Sequence, residues 1–279
     1  MQNLLTRFRR DLHQIPELDR QVPETLAYVE AALAPLPCRL FHPIPQALCA
    51  FFDGGKGDTI GFRAELDALP IQEAEGRAYG SRHPGCMHAC GHDGHMAMLL
   101  GLAHAWEAIR DSLPHNLLLI FQPAEETTGG AADICSQGVL DEYRVSRIFG
   151  CHLWPGLPEG QAFVRPGPMM ARSSEVTLTI RGRSVHIANR QQGNDALLAG
   201  AEFLRAAYAF MDAGFPPAEP RVLGFGRMES GQVRNALSDH TRLEGTLRVF
   251  NDQVFAQARQ GLQALAAVSY THLRAHETT

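Results

Sequence analysis

Apolar positions recur at helical spacing through residues 2–14 (LLTRFRRDLHQ) and 22–35 (VPETLAYVEAALAPL), predicting two helices broken at Pro16 and closed by Pro35 and Pro37. TIGFRAELDALP begins as a strand and ends in a loop at Pro70. Residues 93–111 read as an amphipathic helix with Asp93 as its N-cap. NLLLIFQPAEE is a nearly continuous apolar run ending in polar residues, the pattern of a strand buried on both faces, and RIFGCHLWP repeats it. Strands that alternate with helices and carry polar residues just past their ends predict an α/β sheet with its site at the strands' carboxyl ends.

From about Gly167 the pattern changes. SEVTLTIRGRS alternates like a half-exposed strand, DALLAGAEFLRAAYAF is a helix, VLGFGRMESG and TRLEGTLRVF are strands, and DQVFAQARQGLQALAAV is a second helix. This β-α-β-β-α order predicts a small α+β sandwich, with a boundary near 165–172. The final SYTHLRAHETT has no periodicity and matches nothing before it. No internal repeat or low-complexity segment is visible.

Composition narrows the function classes. The net charge of −5 and the scatter of the arginines offer no basic stripe for nucleic acid. The N-terminus lacks the apolar core of a signal peptide, and no apolar run reaches the roughly 18 residues that a membrane span needs, so a cytoplasmic location is expected. The six cysteines therefore read as thiols or metal ligands rather than a disulfide framework.

Candidate chemistry is concentrated in CMHACGHDGHMAMLLG, residues 86–101. Ligand-type or acid/base residues also close the other apolar segments: Asp67 in ELDALP, Glu125 and Glu126 in PAEE, and His152 in CHLWP. Each signal is weak alone, since a His-x-x-x-His spacing such as His88 to His92 is more often incidental than ligating. Their joint placement at consecutive strand ends is informative because those ends converge in space. A thiolate, imidazoles and a carboxylate together suit Zn²⁺, Mn²⁺, Co²⁺ or Ni²⁺. Adjacent glutamates in an extended segment point to opposite sides, so one can bind a metal while the other takes a proton from water.

RRDLHQIPEL, FRAELDALPI, MHACGHDGHMAMLLG, FQPAEE and HLWPGLPEG together resemble the amidohydrolase family of hippurate hydrolase, N-acetyldiaminopimelate deacetylase and the auxin-conjugate hydrolases. These belong to the wider class of co-catalytic zinc aminoacylases and carboxypeptidases. The resemblance implies a zinc-peptidase-like α/β catalytic domain in residues 1–168, an inserted α+β lid and dimerisation domain in 169–267, and a tail at 268–279 outside the family pattern. It implies two divalent ions held by Cys90, His92, Glu126 and His152, with Cys90 bridging. Glu125 would be the general base and Asp67 would orient the site. In the lid, His186 would polarise the scissile carbonyl, across a dimer interface, while Asn235 and Arg248 would hold the substrate carboxylate. His88 and His95 are expected to be structural or supporting, and His13 and His104 packing or surface residues.

The expected activity is hydrolysis of N-acyl amino acids by a homodimer without nucleic-acid or membrane partners, small peptides being an alternative substrate class. The family supplies one further histidine ligand from a C-terminal portion that this sequence does not contain. His272 and His276 fall outside that motif, so a non-catalytic metal-binding or dimerising fragment is the competing expectation.

Overall fold

The computed structural model describes residues 1–273. The expected tail from 268 on, with His272 and His276, lies outside the residues whose side chains are described. The chain divides into two compact units that meet at Glu159/Gly160. Residues 160–171 carry no regular element, and the expected division at 168/169 falls inside this stretch.

The first unit runs α1 (Gln2–His13), α2 (Pro23–Leu33), β1 (Arg39–Phe41), β2 (Leu48–Phe52), β3 (Thr59–Glu65), α3 (His92–Ile109), β4 (Asn116–Gln122), α4 (Gly130–Ser136), α5 (Val139–Glu142) and β5 (Val145–Gly150). Its five-stranded sheet has the order β1-β2-β4-β3-β5. β3 lies parallel to both β4 and β5, while β2 is antiparallel to β1 and β4. The three parallel strands therefore deliver their carboxyl ends to one rim.

β4 is buried at every position, as its apolar run predicts. Strand alternation sends Leu117, Leu119 and Phe121 into a core with α1, α2 and α3, and Leu118 and Ile120 into a second core with Ile134, Val139 and Tyr143. Each large apolar side chain buried this way stabilises the fold by about 1.5–3 kcal/mol. α3 lies close against α1 because Gly101 has no side chain: a Cβ there would come within 2.3 Å of Leu5 Cδ2. α2 starts at Pro23 with its first N–H groups accepted by Glu17, whose carboxylate takes Glu24 N–H at 3.2 Å and Thr25 N–H at 2.8 Å.

Two local expectations are corrected. β5 is an edge strand, paired only with β3 among the described residues, and Ile148 and Phe149 are each 46% exposed. An apolar run of this kind does not reveal by itself whether both faces are covered. α3 is capped by Gly91 in the left-handed conformation rather than by Asp93, which lies in the first turn.

The second unit runs β6 (Arg172–Arg181), α6 (Ala196–Ala213), β7 (Arg221–Ser230), β8 (His240–Val249) and α7 (Asp252–Leu273), the predicted β-α-β-β-α order. Its sheet is antiparallel in the order β6-β8-β7. α6 and α7 bury Phe203, Val254 and Leu262 against Leu178, Leu243 and Leu247. Asp195 caps α6 by accepting Leu198 N–H at 3.1 Å. Among the described residues, no helix is long and apolar enough to cross a membrane.

Candidate metal centre

The rim at the ends of β3, β4 and β5 gathers the predicted ligands of the first unit. Cys90 Sγ lies 3.3 Å from His152 Nε2, and His92 Nε2 lies 3.8 Å from both Glu125 Oε2 and Glu126 Oε1. Two overlapping groups, Cys90–His92–His152 and His92–Glu125–Glu126, are each close enough to hold an ion, and they share His92.

Local backbone explains the convergence. Gly91, at φ 85°, turns the chain between Cys90 and His92 in a conformation that favours glycine. Ala124, buried, takes φ 56° immediately before the glutamate pair. A left-handed alanine costs about 1–2 kcal/mol, and the surroundings hold it: Ala124 N–H donates to Asp19 O at 3.1 Å, and its carbonyl accepts Gly129 N–H at 2.7 Å. Gly130 closes the same loop, because a Cβ there would meet Pro123 O at 2.4 Å.

Asp67 is fully buried and organises both sides of the rim. Its Oδ1 accepts Glu125 N–H and its Oδ2 accepts Glu126 N–H, each at 3.0 Å. Its own carbonyl accepts His92 Nδ1–H at 2.7 Å. With both carboxylate oxygens engaged on backbone, Asp67 holds the glutamate pair in place.

The hydrogen bond to Asp67 leaves the neutral His92 ring with a bare lone pair at Nε2. That atom and Glu126 Oε1 are both buried without a hydrogen-bond partner among the described residues. Two acceptors facing each other at 3.8 Å repel and are costly to desolvate unless a cation lies between them. Ligand atoms around one tetrahedral ion are separated by about 3.4 Å, so the residues fit a divalent metal. Burial raises the Glu125 carboxyl, with the Glu126 charge adding to it and His92 and Arg63 opposing. Burial also pushes the Cys90 thiol up to about 12, reinforced by the Glu126 hydrogen bond and by the charges of Glu126, Glu125 and Glu65. A bound cation reverses this tendency by stabilising the thiolate.

Behind the rim lies a polar cluster that the sequence did not reveal. His13 is 1% exposed and bridges two carboxylates, with Nδ1 2.6 Å from Asp93 Oδ2 and Nε2 3.0 Å from Glu73 Oε1. Arg9 pairs with Asp93 at 3.0 Å. The cluster ties α1 to the turn carrying His92. His88 is buried with both ring nitrogens unpartnered among the described residues, and burial first, outweighing the Asp93 charge, lowers it to about 4. His104 is half-buried and packs its ring 5.5 Å from Phe8.

In the second unit, residues 185–187 pair with 235–237. Ile187 N–H donates to Asn235 O at 3.0 Å, and Leu237 N–H donates to Val185 O at 2.9 Å. His186 and Asn235 are thus brought together, both exposed. The His186 Nδ1 accepts Ala188 N–H at 3.2 Å, so the neutral ring carries its proton on Nε2. Arg248 is exposed at the other end of β8, on the order of 25 Å of strand away. Within one chain, Arg248 and Asn235 do not share a pocket.

The model of peptidase family M20/M25/M40 matches residues 61–268. N-acetyldiaminopimelate deacetylase of Limosilactobacillus reuteri is 36% identical over 251 residues, covering 88% of this chain. The chain spans 65% of that relative's length. The enzyme of the same name from Listeria innocua serovar 6a is 35% identical over 272 residues, 95% of this chain and 72% of the relative. A solved Bacillus subtilis dinuclear metal-binding peptidase of the M20 family superposes with a TM-score of 0.82 at 30% identity, over 99% of this chain and 72% of the other.

Proposed function

Because the chain belongs to peptidase family M20/M25/M40, we propose that it hydrolyses the amide bond of N-acyl amino acids at a two-metal centre held by Cys90, His92, Glu126 and His152. The observation that carries this reading is the buried pair of unpartnered acceptors, His92 Nε2 and Glu126 Oε1, with the Glu125 carboxylate alongside. The relatives named as deacetylases and the dinuclear metal-binding neighbour support it.

Divalent ions bound there would polarise the scissile carbonyl and make a water molecule acidic. Glu125 then accepts the proton of that water as its oxygen attacks the carbonyl carbon, and afterwards delivers the proton to the leaving nitrogen. His186 donates its Nε2–H to the carbonyl oxygen as negative charge develops there. Arg248 grips the free carboxylate of the amino acid through its two-pronged guanidinium, and Asn235 assists. The span of β8 between Asn235 and Arg248 supports a dimer in which two copies of the second unit contribute to one substrate site. The free cysteines suit work in the cytoplasm.

Assays with N-acetyl, N-benzoyl and dipeptide substrates, before and after chelation and reloading with Zn²⁺, Mn²⁺, Co²⁺ or Ni²⁺, test the reading. It predicts turnover of the N-acyl amino acids that disappears with the metal and returns on reloading. Preferential cleavage of dipeptides would move the substrate class to peptides. The competing reading is a module that binds metal without turnover. Stoichiometric metal with no hydrolysis of any of these substrates would support that reading instead.

A further inference from the structure

His152 occupies the least supported position of the candidate ligands. It follows the edge strand β5, and Cys151, Leu153 and Trp154 around it are all exposed. Something must still aim its ring at Cys90, and the contacts converge on Leu153. Leu153 O accepts His152 Nδ1–H at 2.7 Å, which leaves the His152 Nε2 lone pair facing Cys90 Sγ. Leu153 N–H donates to His95 Nε2 at 2.9 Å. The Leu153 side chain rests on the start of α3, where a Cβ on Gly94 would come within 2.5 Å of Leu153 Cδ1 and one on Gly91 within 3.4 Å.

His95 is 1% exposed, and both of its ring nitrogens are committed. Because Nε2 accepts from Leu153, the proton of the neutral ring is on Nδ1, which donates to Glu65 Oε2 at 2.8 Å. Glu65 is itself buried and pairs with Arg63. Glu65, His92 and His95 lie close enough together to resemble a metal site, but the hydrogen bonds of His95 leave it no lone pair for an ion. Its ring instead contacts that of His152, at 4.6 Å between centroids.

We infer that His95, oriented by Glu65, is a positioning residue that sets the His152 ligand through the backbone of Leu153. The inference rests on the reading of His152 as a metal ligand. A hydrogen-bonded residue behind a ligand typically accounts for 10–100-fold in metal affinity.

The test titrates the full chain with Co²⁺ alone, following the thiolate-to-cobalt absorption contributed by Cys90. His95→Leu should weaken Co²⁺ binding about 10–100-fold. His95→Gln should restore most of it, because its amide can donate to Glu65 and accept from Leu153. Neither should matter once His152→Ala is present. Gly94→Ala, which displaces the Leu153 side chain and leaves His95 intact, should reproduce the His95→Leu loss and serves if His95→Leu fails to fold. Long-range ¹H–¹⁵N spectra of the metal-free chain should show His95 protonated at Nδ1 and bare at Nε2. Weakening by His152→Ala with none from His95→Leu or Gly94→Ala would overturn the inference alone. So would an equal His95→Leu effect in the His152→Ala background. Unchanged Co²⁺ binding in His152→Ala would overturn both this inference and the role of His152 in the proposed centre.

Discussion

The carboxylate of Asp67 accepts the backbone N–H of Glu125 at 3.0 Å, and its other oxygen does the same for Glu126. A residue 58 positions earlier in the chain thus determines where the glutamate pair stands. Asp67→Ala leaves two N–H groups without their acceptor and should cost about 1–3 kcal/mol of stability. His92 hangs from the Asp67 carbonyl, which the substitution retains. Denaturant unfolding and metal titration should therefore show lost stability and loosened binding through Glu126, with the His92 ring still protonated at Nδ1 by NMR.

The His13 cluster gives the fold a pH signature. The hydrogen bond that His13 donates to Asp93, then that to Glu73, raises His13 above the usual 6.5 against the opposing effect of burial. Its stabilisation is complete below 6.5 and fades as pH rises through the higher folded value. Burial alone would raise Asp93 and Glu73, but their hydrogen bonds to His13 lower both, so their stabilisation fades on acidification. For Glu65, burial likewise pushes upward, yet the hydrogen bond to His95 and the Arg63 charge bring it to about 2, extending that acid limb. His88, lowered to about 4 by burial, costs stability as pH falls below 6.5 and steepens the acid limb, so stability should peak near 6.5. Chemical denaturation of His13→Ala across the pH range should lack the alkaline decline.

The placement of His186 and Arg248 predicts complementation. Each of His186→Ala and Arg248→Ala should abolish most turnover. If two copies share a substrate site, an equal mixture of the two variants, unfolded and refolded together, should recover about a quarter of the wild-type rate, because half the dimers carry one intact site. Recovery absent despite mixed dimers would place both residues in one chain's own site.

Much of this arrangement is legible from the sequence because strand ends of a parallel sheet must converge. The unbroken apolar run of β4 identifies a central strand, and the residues after it fall at the rim. What escapes is set by distant partners or by backbone. Asp93 reads as a helix cap, yet its partner His13 lies 80 residues away, and Gly91 takes the cap in a left-handed conformation. His95 is expected to be structural or supporting, but Glu65 gives no signal as its partner, and only the fold brings the two together across 30 residues. Ala124 gives no composition signal for its positive φ. β1 has only three residues, too few for alternation to show.

In the proposed centre Glu126 would hold metal while its neighbour Glu125 moves the proton. Bound metal and N-acyl amino acid hydrolysis should be measured together on the wild type, Glu125→Gln and Glu126→Gln. Glu125→Gln should retain metal and lose roughly 10²–10⁴-fold in turnover, whereas Glu126→Gln should lose both. Wild-type turnover in Glu125→Gln, or equal loss of metal from the two variants, would rule out this division of roles.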